Sequence, residues 1–134
     1  MTSRESIVEF YLAKFREGRC DDAFHCLIET DPAIIPDLIN AYEGTDDIST
    51  KVFLIEVVSE FRLETSLYFF RHALRQEDPK IWRSALDGMA MAESSEAVEA
   101  MRHVLASVTD ADKRAWIEEA ITDTGAALGK KANS

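Results

Sequence analysis

The sequence predicts an all-α fold, a right-handed α-solenoid of about four antiparallel helix pairs. The main observation is a period of 31 residues, because Ile7, Leu38, Phe69 and Ala100 are spaced by this interval and all four are apolar. Fixed periods of about 20 to 50 residues are typical of solenoids. Six columns of this register are apolar in every row, in two clusters half a repeat apart, which predicts two helices per row. The other five are Val8/Ile39/Phe70/Met101, Tyr11/Tyr42/Ala73/Val104, Ala23/Leu54/Ala85/Trp116, Phe24/Ile55/Leu86/Ile117 and Leu27/Val58/Met89/Ala120.

Capping residues and helix breakers set the expected helix boundaries. Asp31-Pro32 and Asp78-Pro79 each combine an N-cap residue with proline at the first helical position. Gly18 and Gly44 follow the last residues with helical spacing and end their helices. Short polar links join the helices, so consecutive helices are expected to run antiparallel. In sequence order, the expected helices cover residues 3–17, 21–30, 31–44, 48–62, 63–76, 79–92, 95–107 and 110–124.

The segment 48–62 is rich in β-branched residues and also resembles a strand. The helical interpretation is preferred because both flanking rows keep helical spacing, and a strand would lose the packing of its neighbours. A helix that is apolar over most of its circumference is expected to pack on several sides. The helical pattern stops near residue 128, so the sequence predicts one domain over 1–128 and a flexible tail over 129–134.

Charge and cysteine usage restrict the functional classes. The protein has 134 residues, with 15 Lys and Arg against 25 Asp and Glu, for a net charge of -10. Duplex nucleic acid is an improbable ligand for such a protein, because phosphate binding requires clustered cations, and a basic protein partner is expected instead. The sequence has no apolar run of 18 residues and no secretory signal pattern, which predicts a cytoplasmic protein that does not bind membranes.

Signals for catalysis or metal binding are weak. Cys20 and Cys26 are six residues apart, on different faces of a helix, so they are expected to be reduced, buried thiols rather than a disulfide or metal pair. His72 and His103 lie one period apart, and stacked imidazoles could hold a metal ion, but repeated, partly exposed helix positions are the favoured interpretation. The sequence contains no nucleotide-binding or hydrolase motif. We therefore expect no enzyme activity, no cofactor and no metal.

Part of the sequence resembles a known repeat family. The stretch from Asp78 to Leu86, DPKIWRSAL, and the stretch from Glu96 to Met101, EAVEAM, are similar to the HEAT-like repeats of phycobilin lyases and their relatives. The resemblance covers about residues 31 to 125. It implies a solenoid whose second helices line the concave face. It does not imply one function, since such repeats act as scaffolds, inhibitors and lyase subunits.

The positions directly after the core column Phe24/Ile55/Leu86/Ile117 form a further column, which is acidic in three of the four rows. It contains His25, Glu56, Asp87 and Glu118. On the concave face that the resemblance implies, these carboxylates would form a ladder suited to a row of Lys or Arg side chains on a partner. The alternative is a self-neutralised surface, because Arg83 and Arg114 stand four residues before Asp87 and Glu118 and pairs at this spacing are in contact on a helix.

The two tryptophans are expected to differ in exposure. Trp82 shares its column with Cys20, Lys51 and Lys113, so it is either an interface anchor or the edge of the core. Trp116 belongs to a column that is apolar in every row, so it is expected in the core. The candidate partner-binding residues are Glu56, Asp87, Glu118, Trp82, Arg83 and Arg114.

These features together predict a protein-binding repeat protein without enzyme activity. The leading hypothesis is an acidic inhibitor or immunity-type protein that covers a basic surface of a toxin or enzyme, and small helical immunity proteins of bacterial toxin systems look broadly similar. An adaptor or assembly chaperone is one alternative. A lyase-like subunit that acts on a protein-bound chromophore is another. The sequence leaves the oligomeric state open.

Overall fold

The computed structural model describes residues 3–62 and 64–132. These residues form eight α-helices and two short 3₁₀ turns, with no strand among them, so the all-α prediction is confirmed. Position 63, where a helix was expected to start, lies outside the described residues. Positions 1–2 of the expected domain and positions 133–134 of the expected tail also lie outside them. The helices are α1 (Ser3–Arg16), α2 (Cys20–Ile28), α3 (Ile35–Glu43), α4 (Ile48–Glu60), α5 (Leu67–Leu74), α6 (Pro79–Met91), α7 (Ser95–Leu105) and α8 (Ala111–Ala132).

Capping side chains fix several helix starts. The Asp78 carboxylate accepts a hydrogen bond of 2.8 Å from the backbone N–H of Lys80, and Pro79 is the first residue of α6. Asp31 accepts one of 2.8 Å from Ala33, although it caps a 3₁₀ turn that leads into α3. Asp47 and Ser94 cap α4 and α7 in the same way. Each cap satisfies a backbone donor that the helix leaves without an internal acceptor.

The end of α8 differs from the expectation, because the helix continues to Ala132 rather than stopping near Thr124. Thr124 is buried, and Ala127 and Leu128 are half-buried, so one stripe of α8 keeps its packing beyond the expected end. Lys131 forms an ion pair of 2.8 Å with Glu93. Residues 129–132 of the expected flexible tail are therefore helical.

The molecule divides into two compact units, Met1–Phe61 and Arg62–Ser134. In the first unit, α1 packs against α2 and α3, and α4 packs against α2 and α3. In the second unit, α5 packs against α6 and α7, and α8 packs against α6 and α7. Both units thus contain contacts between consecutive helices and contacts between alternate helices. The assignment of one domain over 1–128 stays a prediction.

Most residues of the apolar columns are buried, but Ile7 of the first column is 37% exposed. Leu38, Ile55, Phe69 and Leu86 are between 0% and 3% exposed, as the 31-residue register predicts. The prediction that Trp116 belongs to the core is wrong, since its residue is 40% exposed. Its helix, α8, packs against α6 and α7 in the second unit, and Trp116 lies at the edge of this contact, where part of its side chain is exposed to solvent.

The cysteines also differ from the expectation, because Cys20 and Cys26 are both exposed free thiols. On the short helix α2, Ala23 and Leu27 are the buried residues, whereas the two cysteines keep contact with water. His72 and His103 are exposed. Within residues 3–62 and 64–132, no three His, Cys, Asp or Glu side chains are grouped so that they could hold a metal ion. In the same residues, no helix combines the length and apolar character needed to cross a bilayer.

Candidate binding groove between α6 and α8

A small open groove lies between α6 and α8 in the second unit. Its volume is about 280 Å³. The residues of α8 that line it recur at i, i+3, i+4 and i+7, which is the spacing of one helix face. The lining residues are Leu86, Asp87 and Ala90 from α6 and Trp116, Glu119, Ala120 and Asp123 from α8. We call this site the α6–α8 groove. It combines an aromatic surface, short apolar side chains and three carboxylates.

The three carboxylates of the α6–α8 groove stand without a paired cation in the part of the protein that the structure describes. Among residues 3–62 and 64–132, Asp87, Glu119 and Asp123 form no ion pair. Partial burial raises the pKa of the Asp87 carboxyl, although the residue as a whole is exposed, so its ionised form is less well solvated than in open water. A positive charge in the groove would stabilise the ionised form of all three groups. The electrostatics of the site therefore favour a cationic ligand.

Trp116 already carries a cation on its ring. The Arg83 guanidinium carbon is 4.6 Å from the centroid of the Trp116 ring, and Arg83 is also paired with Asp112 at 3.6 Å. Trp82 meets Trp116 edge to face, with ring centroids 6.1 Å apart and an angle of 77° between the planes. These neighbours hold the indole in place while part of it remains exposed to the groove. An indole with this support is a suitable surface for a second cation.

Trp82 is not an exposed anchor, because its residue is only 2% exposed. The Lys113 ammonium group lies 5.5 Å from the Trp82 ring centroid and donates a hydrogen bond of 3.1 Å to the carbonyl of Gln76. Lys113 is itself buried, and burial lowers the pKa of its amine. Trp82 and Lys113 are therefore both buried, although Cys20 in the same column is exposed. The core-edge interpretation of Trp82 is the one that the structure supports.

Arg114 and Glu118 form the local pair that the alternative interpretation expected, with nitrogen and oxygen 3.7 Å apart. Arg114 also donates hydrogen bonds to the carbonyls of Leu105, at 2.9 Å, and Val108, at 2.7 Å. Leu105 is the last residue of α7 and Val108 follows it, so Arg114 stabilises the end of this helix. The analogous pair of Arg83 with Asp87 is replaced by the contact of Arg83 with Asp112.

The residues of the expected carboxylate column lie in different surroundings within their units. Glu56 is exposed on α4 in the first unit, and Glu118 lies outside the α6–α8 groove, two residues after Trp116 on α8. Asp87 is instead brought together with Glu119 and Asp123, which the column pattern did not indicate. The signal that could have found them is the spacing of three and seven residues from Trp116 to these two carboxylates. That the column is a continuous ladder stays a prediction.

Comparison of the sequence with protein-family models and with curated proteins, and of the fold with solved structures, found no match. The chemistry of the groove therefore carries the functional argument. Carboxylates beside an aromatic face complement a lysine or arginine side chain, because the ring attracts the cation and the carboxylates neutralise it. The volume of about 280 Å³ suits one side chain rather than a folded domain.

Proposed function

We propose that this protein is a non-enzymatic, acidic binding protein whose α6–α8 groove accepts a basic side chain from another protein. The observation that carries the proposal is the grouping of Asp87, Glu119 and Asp123 around the exposed ring of Trp116. The net charge of -10 extends the same preference to the whole molecule. Such charge steers basic partners towards the surface and accelerates association.

The same considerations make an inhibitor or immunity-type protein our preferred role. A small acidic protein that covers a basic surface of a toxin or enzyme needs no catalytic residue of its own. Its specificity depends on a few well-placed anchors surrounded by complementary charge. The α6–α8 groove supplies one such anchor point.

We further propose that the helices form four HEAT-like pairs of a right-handed solenoid with a 31-residue period. The packing inside each unit supports this proposal. Alternate helices are in contact, α1 with α3 and α2 with α4 in the first unit, and α5 with α7 and α6 with α8 in the second. Stacking of like helices is how repeat proteins bury their hydrophobic faces.

A peptide titration tests the groove. The probe is an acetylated, amidated peptide of four Arg-Gly repeats, and the control peptide has Glu in place of Arg. Binding is followed by tryptophan fluorescence, to which Trp82 and Trp116 both contribute, and by amide chemical shifts. We expect the basic peptide to bind, the acidic peptide to leave the spectra unchanged, and affinity to fall as salt rises.

Two variants of equal charge decide where the peptide binds. The groove variant combines D87N, E119Q and D123N. The matched variant combines E43Q, E56Q and E118Q, which removes the same charge and includes the other two carboxylates of the expected column. We expect the dissociation constant to rise at least tenfold for the groove variant and less than threefold for the matched one. Equal weakening in both variants would refute the assignment to the groove.

The role of the protein is tested with the same variants as bait. A partner is groove-dependent if the wild-type protein and the matched variant both retain it from a lysate and the groove variant does not. We expect such a partner to present Lys or Arg at the contact and to lose its own activity when the protein binds. A groove-dependent partner that stays fully active when bound would exclude the inhibitor role and favour an adaptor.

A further inference from the structure

A second, larger groove lies between α5 and α7 in the second unit, with a volume of about 980 Å³. Leu67 and Arg71 line it from α5, and Glu99, Arg102 and His103 line it from α7. We call it the α5–α7 groove. It shares no lining residue with the α6–α8 groove, so an inference about it does not rest on the function proposed above.

Arg71 and Arg102 occupy equivalent positions in two rows of the 31-residue register, each in an Arg-His pair. Arg102 is neutralised locally, because its Nη1 lies 2.8 Å from the Glu99 carboxylate three residues earlier. The residue three positions before Arg71 is Tyr68, which cannot neutralise a guanidinium. Arg102 therefore has a glutamate three residues earlier as its internal partner, whereas Arg71 has a tyrosine at the equivalent position and lacks such a partner there.

The structure shows the result of this change. Arg71 is half-buried, and its Nε atom is enclosed by protein but has no hydrogen-bond acceptor among the described residues. Across residues 3–62 and 64–132, Arg71 also forms no ion pair. Arg114, another half-buried arginine of the second unit, uses its guanidinium on two carbonyls and Glu118. Arg71 is thus a half-buried positive charge without a counter-charge among the described residues, and a ligand that supplies one would lower the cost of burying it.

We propose that the α5–α7 groove binds a carboxylate of a partner protein and that Arg71 is the residue that receives it. The planar guanidinium pairs with a carboxylate through two parallel hydrogen bonds, and the two Nη groups of Arg71 can supply both donors while Nε stays enclosed. Glu96 and Glu99 line the same groove, so a ligand with one negative charge is preferred over a phosphate, whose second charge would increase the repulsion. The ring of Tyr68, which is 78% exposed on the same helix, offers an apolar contact nearby.

Nuclear magnetic resonance of the arginine Nε–H groups tests this proposal directly. The probes are acetyl-glutamate amide, which has a carboxylate on its side chain, acetyl-glycine, which imitates the carboxyl end of a polypeptide, neutral acetyl-glutamine amide, and inorganic phosphate. We expect at least one carboxylate probe to shift the Arg71 Nε–H signal saturably, and the tighter of the two identifies the source of the carboxylate. A shift of equal size with the neutral probe, or tighter binding of phosphate than of either carboxylate, would overturn the proposal.

Two substitutions separate binding by Arg71 from a general charge effect. Y68E places a glutamate where Glu99 stands relative to Arg102, so Arg71 should gain an internal partner and carboxylate binding should weaken at least fivefold. Tyr68 is exposed, so the fold should tolerate this change. R75Q removes a charge from the end of the same helix at an exposed position and should weaken binding less than twofold. Binding by Y68E with wild-type affinity would refute the role of Arg71.

Discussion

Replacing Leu86 with alanine should lower the free energy of unfolding by roughly 2.5 to 3.5 kcal/mol. Leu86 is 2% exposed on α6, so nearly the whole side chain is withdrawn from water. The substitution removes three carbon atoms at about 0.8 kcal/mol each, or about 2.4 kcal/mol, and the cavity left behind adds to this loss. Leu86 also borders the α6–α8 groove, so the new space opens partly to solvent and the cavity contribution is smaller than in a closed core.

Urea denaturation measures this loss. Both tryptophans of the protein lie in the same unit as Leu86, so their fluorescence follows that unit, and far-ultraviolet circular dichroism follows all helices. We expect the midpoint to fall while the dependence on denaturant stays close to that of wild type, because the surface exposed on unfolding hardly changes.

The matched control is Y68A on α5, which removes a larger side chain from a position that is 78% exposed. It should change the free energy of unfolding by no more than about 0.5 kcal/mol. Comparable losses at the two positions, or a loss below about 1 kcal/mol for L86A, would refute the assignment of apolar columns to the core.

Three further substitutions test single interactions. R114M should lower the free energy of unfolding by about 1.5 to 3 kcal/mol in urea denaturation, because the carbonyls of Leu105, at the end of α7, and of Val108, just after it, lose a charged donor. A loss under about 0.5 kcal/mol would contradict that role. Burial raises the pKa of Asp87 in the folded state, so its ionisation destabilises the fold as pH rises; D87N should therefore raise the urea midpoint near pH 7 and leave it unchanged at about pH 2. Hydrogen bonds from the Thr50 hydroxyl and amide lower the pKa of Asp47, so the stability that its carboxylate contributes is present above the ordinary aspartate pKa and is lost as pH falls through the folded value. D47A should therefore lower the urea midpoint near pH 7 and change it little at about pH 2. A loss that does not depend on pH would exclude this cause.

The helices were predictable because their determinants are local. The Asp-Pro pair at Asp78 marks a helix start by capping chemistry that needs no knowledge of the rest of the fold. The columns of Leu38 and Ile55 recur in every row, so each position is supported by three equivalents. The boundaries were less secure, and the continuation of α8 beyond Thr124 depends on packing and on the ion pair of Lys131 with Glu93.

The candidate site was less predictable because it depends on neighbours that are distant in sequence. A column gives the position of a residue on its helix but not the element that covers it, which is why two interpretations of Trp82 stayed open and the prediction for Trp116 was wrong. Arg83 illustrates the same limit, because the local rule offers a partner four residues away and the structure pairs it with Asp112, 29 residues away. Only the assembled helices bring Asp87 beside Glu119.

The last turns of α8 should open and close independently of the rest of the helix. Gly125 and Gly129 have no described neighbouring atoms within 4 Å of the place where a Cβ would stand, and each weakens a helix by about 1 kcal/mol relative to alanine. The ion pair of Lys131 with Glu93 that holds this segment is exposed, so salt screens it. Amide hydrogen exchange should therefore show protection that declines from Ile117 towards Lys131, and added salt should accelerate exchange at the Lys131 end while Ile117 keeps its protection.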